Sequence, residues 1–321
     1  MPTSIRVSAT KGEEGIMILA NETNVGKDPI ESANENIKGF QTSSPWVEAW
    51  RRLRKRKTAL IGLGIIIFFI LVAILAPLIA PGQWDGQDLA NRLKPPSFKN
   101  WFGTDDLGRD ILTRIIYGAR ISIWLGFFSV SGSLVVGSIL GMLAGYFGSW
   151  TDTVISRFFD IILAFPSILL AIAIVSILGP GLVNALIAIA IIHVPTYGRL
   201  IRSRVISIKE EEYINAAKII GAGNLRILFR HILPNSVAPV IVQGTLGVAT
   251  AVLSAASLGF LGLGAQPPYP EWGKMIADSR QYLTTAFWMV LFPGLAIMLT
   301  VLGYNLFGDG LRDALDPKMK Q

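Results

Sequence analysis

Ile161 to Gly198, IILAFPSILLAIAIVSILGPGLVNALIAIAIIHVPTYG, contains no Asp, Glu, Lys or Arg. A helix that crosses a bilayer needs about 20 consecutive apolar residues. This run is long enough for two, and Gly179-Pro180-Gly181 divides it where a tight turn belongs. The same charge-free character returns over Thr58–Ala80, Ile121–Thr151, Ile232–Pro270 and Gln281–Gly308. The chain is 51% hydrophobic and only 16% charged, with a mean hydropathy of +0.51, whereas a soluble domain carries roughly 25% charged residues. This composition is that of an all-α integral membrane protein. Allowing for polar ends, it predicts six transmembrane helices near 58–80, 121–147, 155–178, 182–200, 237–262 and 285–307.

Orientation follows from the basic residues. Arg51, Arg52, Arg54, Lys55, Arg56 and Lys57 directly precede the first span, where the positive-inside bias acts most strongly. With the N-terminus inside, the cytoplasmic segments hold most of the 29 Lys and Arg, so both termini are expected in the cytoplasm. Abutting a span, the basic run reads as a topology signal and not as a nucleic-acid site. Trp46 and Trp50 are expected at headgroup level, and Met1 to Pro45, polar and without periodicity, reads as an arm without fixed structure. The chain has no cysteine, which excludes disulfides, thiolate metal sites and a cysteine nucleophile. The first apolar run begins only at residue 58 and is long enough to span, unlike a cleavable signal.

Between the first two spans lies GTDDLGRDILTRIIYGARIS, Gly103 to Ser122. Thr104 or Asp105 can cap a helix here, with Asp106 and Asp110 near its positive end and Leu107, Ile111, Ile115 and Ala119 forming an apolar stripe. The aspartates do not have the spacing of a calcium loop, and Arg109 and Arg114 are ready partners, so no metal site is expected. In the second span Ser129, Ser133, Gly137, Gly141 and Gly145 recur every fourth residue; in the fifth, Gly247, Ala251, Ala255 and Gly259 do the same. Lipid gives helices no hydrophobic reason to associate, so such ridges predict close helix packing, within the chain or against a partner. His193 stands alone in the fourth span, as a pathway contact or as a hydrogen-bonding group between helices. Acidic or basic groups at membrane depth, usual in ion-coupled carriers, are nearly absent. No phosphate-binding loop of the GxxxxGK[ST] type occurs, nor an HExxH pair. No catalytic residue is assigned; an energy source, if there is one, is expected on another chain.

One polar interval interrupts the second half of the chain, Lys209 to Asn235, KEEEYINAAKIIGAGNLRILFRHILPN. Tyr213, Ala216, Ala217 and Ile220 fall on one face of a short helix. Gly221-Ala222-Gly223 breaks it, because glycine accepts the positive φ of a helix end. Asn224 is placed to cap a second helix, in which Leu225, Leu228, Phe229 and Ile232 repeat the spacing until Pro234 stops it. Two amphipathic helices with a glycine hinge form a handle for a docking partner.

Asn215-Ala216-Ala217, Gly221 four residues later, and Leu233-Pro234 resemble the EAA loop of ABC importer membrane subunits. GTDDLGRD (Gly103–Asp110), RHILPN (Arg230–Asn235), FLGLGAQPPYPEWG (Phe260–Gly273) and GDGLRDALDP (Gly308–Pro317) are similar to the C-type permease of dipeptide, oligopeptide and nickel importers. Asn215 occupies the position that names the loop for glutamate, so a salt bridge from that position is not carried over. The resemblance implies a type I importer fold in a bacterial or archaeal cytoplasmic membrane. It implies a coupling helix in the handle that docks on an ATPase, a B-type permease partner, two ATPase subunits carrying ATP and Mg, and an external substrate-binding protein. It implies no cofactor on this chain. The organisation expected is a cytoplasmic arm 1–57, the first span and external segment 58–118, a five-helix permease domain 119–310 with the coupling loop 209–235, and a tail 311–321. The expected cargo is short peptides, with nickel or another small solute as the alternative. Two other classes stay open: an ATP-independent channel or carrier of six helices, and a membrane anchor whose handle is an interfacial hairpin.

Overall fold

The computed structural model describes residues 45–315, so the expectations for residues 1–44 and 316–321 lie outside it. Besides two short 3-10 turns, Leu89–Asn91 and Arg280–Tyr282, ten longer helices are formed there: α1 (Pro45–Lys55), α2 (Lys57–Ile79), α3 (Ile111–Phe147), α4 (Ser149–Leu163), α5 (Ser167–Leu178), α6 (Leu182–Lys209), α7 (Glu212–Ile219), α8 (Asn224–Phe260), α9 (Trp272–Ser279) and α10 (Trp288–Leu315). No strand is formed among the described residues; Thr104 and Asp110 make one isolated antiparallel bridge. Five helices, α2, α3, α6, α8 and α10, are long and apolar enough to cross a membrane.

The third expected span, 155–178, is not one straight helix. It is the pair α4 and α5, bent by 92°. Pro166 has φ −55° and ψ 126°, and its ring disfavours helical backbone at Phe165 before it. Ala164 accordingly ends the helical stretch, its N–H reaching Asp160 O at 2.9 Å. The pair still carries the chain from one end of the bundle to the other, where Gly181 N–H meets Leu263 O at 3.2 Å. Counted as one crossing, it makes the sixth.

The second span begins at Ile111, ten residues before the charge-free run, because the external amphipathic stripe continues into it. Ile111, Ile115 and Ala119 are buried against Phe69, Trp272 and Met289. The helix is capped neither by Thr104 nor by Asp105. Asp110 is the cap: its carboxylate accepts from Thr113 N at 2.7 Å and from Asn100 Nδ2 at 2.9 Å.

Close approach of α3 to α6 forms the main seam. A side chain at Gly137 would sit 2.6 Å from Val194 O, one at Gly145 2.8 Å from Val205 Cβ, and one at Gly141 would overlap the Gly198 carbonyl. Ser129 adds a bond across the seam to Leu186 O at 3.2 Å, while Ser133 satisfies its hydroxyl on its own helix. On the far side of α6, the Phe159 ring lies against Gly198, and Arg202 and Arg199 pair with Asp152 and Asp160 of α4, each at 2.6 Å. On α8, Gly247 faces the Tyr197 hydroxyl, Ala251 and Ala255 join the central core with Leu125, Val130 and Ile189, and Gly259 meets Glu271.

Packing at the seam predicts a contrast. Gly141→Ala forces the two backbones apart, which costs about 1–3 kcal/mol. Gly132 has only Ala190 Cβ at 3.8 Å, and Gly132→Ala removes a flexible residue from a helix, worth about 0.5–1 kcal/mol in the other direction. Thermal unfolding in detergent should therefore fall for Gly141→Ala and hold or rise for Gly132→Ala.

Candidate functional site

The handle stands where α6, α3 and α8 end or begin together. Its first helix, α7, closes with Gly221 at φ +86°. Gly221 N–H reaches Lys218 O at 2.9 Å and Ala222 N–H reaches Ala217 O at 3.0 Å, the paired bonds of a left-handed helix ending. Asn224 does not cap the second helix. Gly223 takes that position, and the Asn224 side chain accepts from the Tyr146 hydroxyl at 2.8 Å, tying the start of α8 to the end of α3. Lys209 Nζ donates to the Tyr146 carbonyl at 3.0 Å, tying in the end of α6. Asn235 Nδ2 donates to the Tyr213 hydroxyl at 3.1 Å and to His231 O at 2.7 Å, holding α7 against α8.

Pro234 does not stop the second helix. Ile227–Ile232 winds as a π-helix and the chain then continues unbroken to Phe260. Proline lacks an N–H and its ring crowds the carbonyl four residues back. Widening the preceding turn, with Leu233 N–H bonded to Leu228 O, relieves that crowding. Leu233 is half-buried and Pro234 exposed.

The apolar residues of the handle divide by function. Ile214, Ile227, Leu228 and Ile232 are buried with Met142, Ile201 and Val205, anchoring it to α3 and α6. Ile214 is not on the face that the spacing singles out. Tyr213, Asn215 and Ala216 are exposed and Ala217 half-buried. Ile219 is 87% exposed, Ile220 86%, Leu225 70% and Phe229 57%. Large apolar side chains on a rigid, outward surface are what a groove on a partner recognises.

At the opposite end Asp105 is a buried hub, paired with the two arginines that the sequence offered to the aspartates. Its carboxylate receives Arg109 Nε at 2.6 Å and the Leu107 and Arg109 N–H groups at 2.9 Å, with Arg114 Nε at 3.5 Å. Beside it a cleft of about 360 Å³ is lined by Asp106, Arg109, Arg114, Lys274, Asp278 and Arg280. Burial, reinforced by Asp105, raises the Asp106 carboxyl above the usual carboxylate range. Glu271, 1% exposed, caps α9 through Gly273 N at 2.9 Å and Lys274 N at 2.8 Å. Burial raises its carboxyl too, against the lowering effect of those two bonds. Among the described residues, no three His, Asp or Glu are grouped to hold a metal. His193 lies in α6, two residues before Pro195, with its Nε2 buried and unbonded; the structure does not bring it together with the handle.

The architecture is a bundle of long helices with short helices at both ends. The fold aligns with the inward-facing MetNI methionine ABC transporter at a TM-score of 0.52 and 18% identity, covering 64% of this chain and 98% of that one. Residues 137–321 match the model of binding-protein-dependent transport system inner membrane components, and residues 44–96 that of the N-terminal TM domain of oligopeptide transport permease C. The chain belongs to the family of binding-protein-dependent transport permeases. It is 65% identical over 281 residues to the dipeptide transport system permease protein DppC of Alkalihalophilus pseudofirmus, covering 88% of this chain and 92% of that one. It is 48% identical over 291 residues to the protein of the same description from Haemophilus influenzae, covering 88% and 98%. Against the glutathione transport system permease protein GsiD of Escherichia coli it is 47% identical over 285 residues, covering 88% and 94%. The chain is thus a multi-pass membrane transport component and not an enzyme.

The bonds that fix the handle make a measurable difference. Asn235→Ala removes the side-chain hydrogen bond from α8 to Tyr213 of α7, and a typical hydrogen bond contributes about 1 kcal/mol. Amide exchange over residues 212–222 should rise about fivefold, with exchange in the α3–α6 seam unchanged.

Proposed function

We propose that the chain is one of two permeases that together form the translocation pathway of an ATP-driven importer for short peptides. The observation that carries this reading is the handle: an outward apolar surface, Ile219, Ile220, Leu225 and Phe229, on a base fixed to three long helices. The relatives' own cargoes, dipeptides and glutathione by name, support the short-peptide class. Energy enters from two separate ATPase subunits, which bind ATP and Mg and dock at the handle. A B-type permease is the second half of the pathway, and an external binding protein delivers substrate at the end that carries the Asp105 hub and α9. Both termini and the handle lie in the cytoplasm, in line with the basic run before α2, and the membrane is the bacterial or archaeal cytoplasmic membrane. Residues 119–310 form the permease domain, with 209–235 as its coupling loop. The chain itself holds no cofactor, and no nucleic acid is among its partners.

Gly221 is the hinge on which the mechanism turns. Nothing lies within 4 Å of a side chain added there, so its constraint is the backbone angle and not space. Non-glycine residues in the left-handed region cost about 1–2 kcal/mol, with asparagine the most tolerant. Uptake of a labelled dipeptide should fall in the order Gly221, Gly221→Asn, Gly221→Ala, Gly221→Val, while the amount of inserted protein stays constant. Wild-type uptake by Gly221→Val would sink the hinge.

The docking face has its own measurement. Ile219→Asp with Ile220→Asp should abolish co-purification of the ATPase subunits without lowering the melting temperature, because both side chains already face outward. Retention of the ATPases would place docking elsewhere.

A further inference from the structure

The geometry of α1 points to a binding surface for anionic phospholipid headgroups. A topology signal needs only a count of basic residues near a span. Here the basic run is folded into a helix with segregated faces. Ala49 and Leu53 are buried, Leu53 against Ala59 and Ala314, and Arg56 pairs with Asp313 of α10 at 2.6 Å. One residue, Arg56 in extended conformation, separates α1 from α2. That short link pins α1 at the depth where the first span leaves the apolar layer.

Its two outward flanks differ in chemistry. On one, Val47 is 51% and Trp50 45% exposed, with the Arg54 guanidinium 5.0 Å above the Trp50 ring. On the other, a recess of about 500 Å³ is lined by Glu48, Arg51, Arg52 and Lys55. Arg52 lies 3.8 Å from Glu48; Arg51 and Lys55 are exposed beside it. Apolar groups with an adjoining row of cations are the make-up of a helix lying in the headgroup plane. Trp50 and Val47 enter the acyl boundary while Arg51, Arg52 and Lys55 surround a lipid phosphate. Nucleic acid would use the cations and leave Trp50 and Val47 in water.

The test uses the full-length chain in phosphatidylcholine nanodiscs containing a small amount of spin-labelled phosphatidylglycerol or, in parallel, spin-labelled phosphatidylcholine. The expected result is a motionally restricted phosphatidylglycerol population roughly fivefold above that of phosphatidylcholine, from a few partly screened cations, which declines as salt is raised. R51Q/R52Q/K55Q should bring the two lipids level, and R51K/R52K/K55R should restore the difference. Equal restriction of both lipids by the wild-type chain overturns the proposal, independently of how the variants fold. So does undiminished preference in the glutamine variant, displacement of the label by millimolar inorganic phosphate, or displacement by an oligonucleotide.

Discussion

Backbone against backbone at Gly141 and Gly198 is the contact from which the functional end of the molecule is built. In lipid two apolar helices gain nothing by leaving the solvent, so their association depends on how closely their atoms meet. Glycine on both partners allows that closeness, and Gly137 and Gly145 extend it a turn in each direction. The seam fixes where α3 and α6 end. Tyr146 at one end and Lys209 at the other then hold each other and the start of α8. The base of the handle is anchored because it rests on this close seam.

Much of this architecture was legible because charge avoidance is a strong and nearly one-dimensional signal. Five runs without charge correspond to the long helices and to α5, while α4 carries Asp152, Arg157 and Asp160. What charge avoidance could not convey was the break at Pro166. Pro77, Pro195, Pro239 and Pro293 all lie inside helices that continue past them, so the same residue reads as a stop in one place and as a tolerated defect in four others. Pro234 is a further case, absorbed by a wider turn whose hydrogen bonds leave no compositional trace.

The handle was legible as a handle and less so as a set of faces. Eight residues of α7 give barely two turns, and Tyr213, Ile214 and Ile219 distribute apolar surface almost all round it, so spacing cannot tell the anchored side from the free one. Ile214 is recognised only once Ile201 and Val205 are seen beneath it. The pairing of Asp105 with Arg109 and Arg114 was legible, whereas Glu271 was missed for a related reason. A buried carboxylate is identified by what converges on it, and Ser122, which reaches Glu271 from α3, is set by the fold and not by a spacing rule.

The outward apolar residues of the handle also bear on how such a protein is made. Ile219, Ile220, Leu225 and Phe229 are not lipid-facing side chains at the middle of a span; they project from α7 and the first turns of α8 in the polar interval. A copy synthesised ahead of whatever covers them shows water a sticky surface of the kind that invites self-association. Assembly therefore does two things at once: it completes the machine and it hides the mark of an orphan. Copies left unassembled remain recognisable to chaperones and proteases through the same four side chains, so subunit stoichiometry can be policed by the same surface proposed for docking.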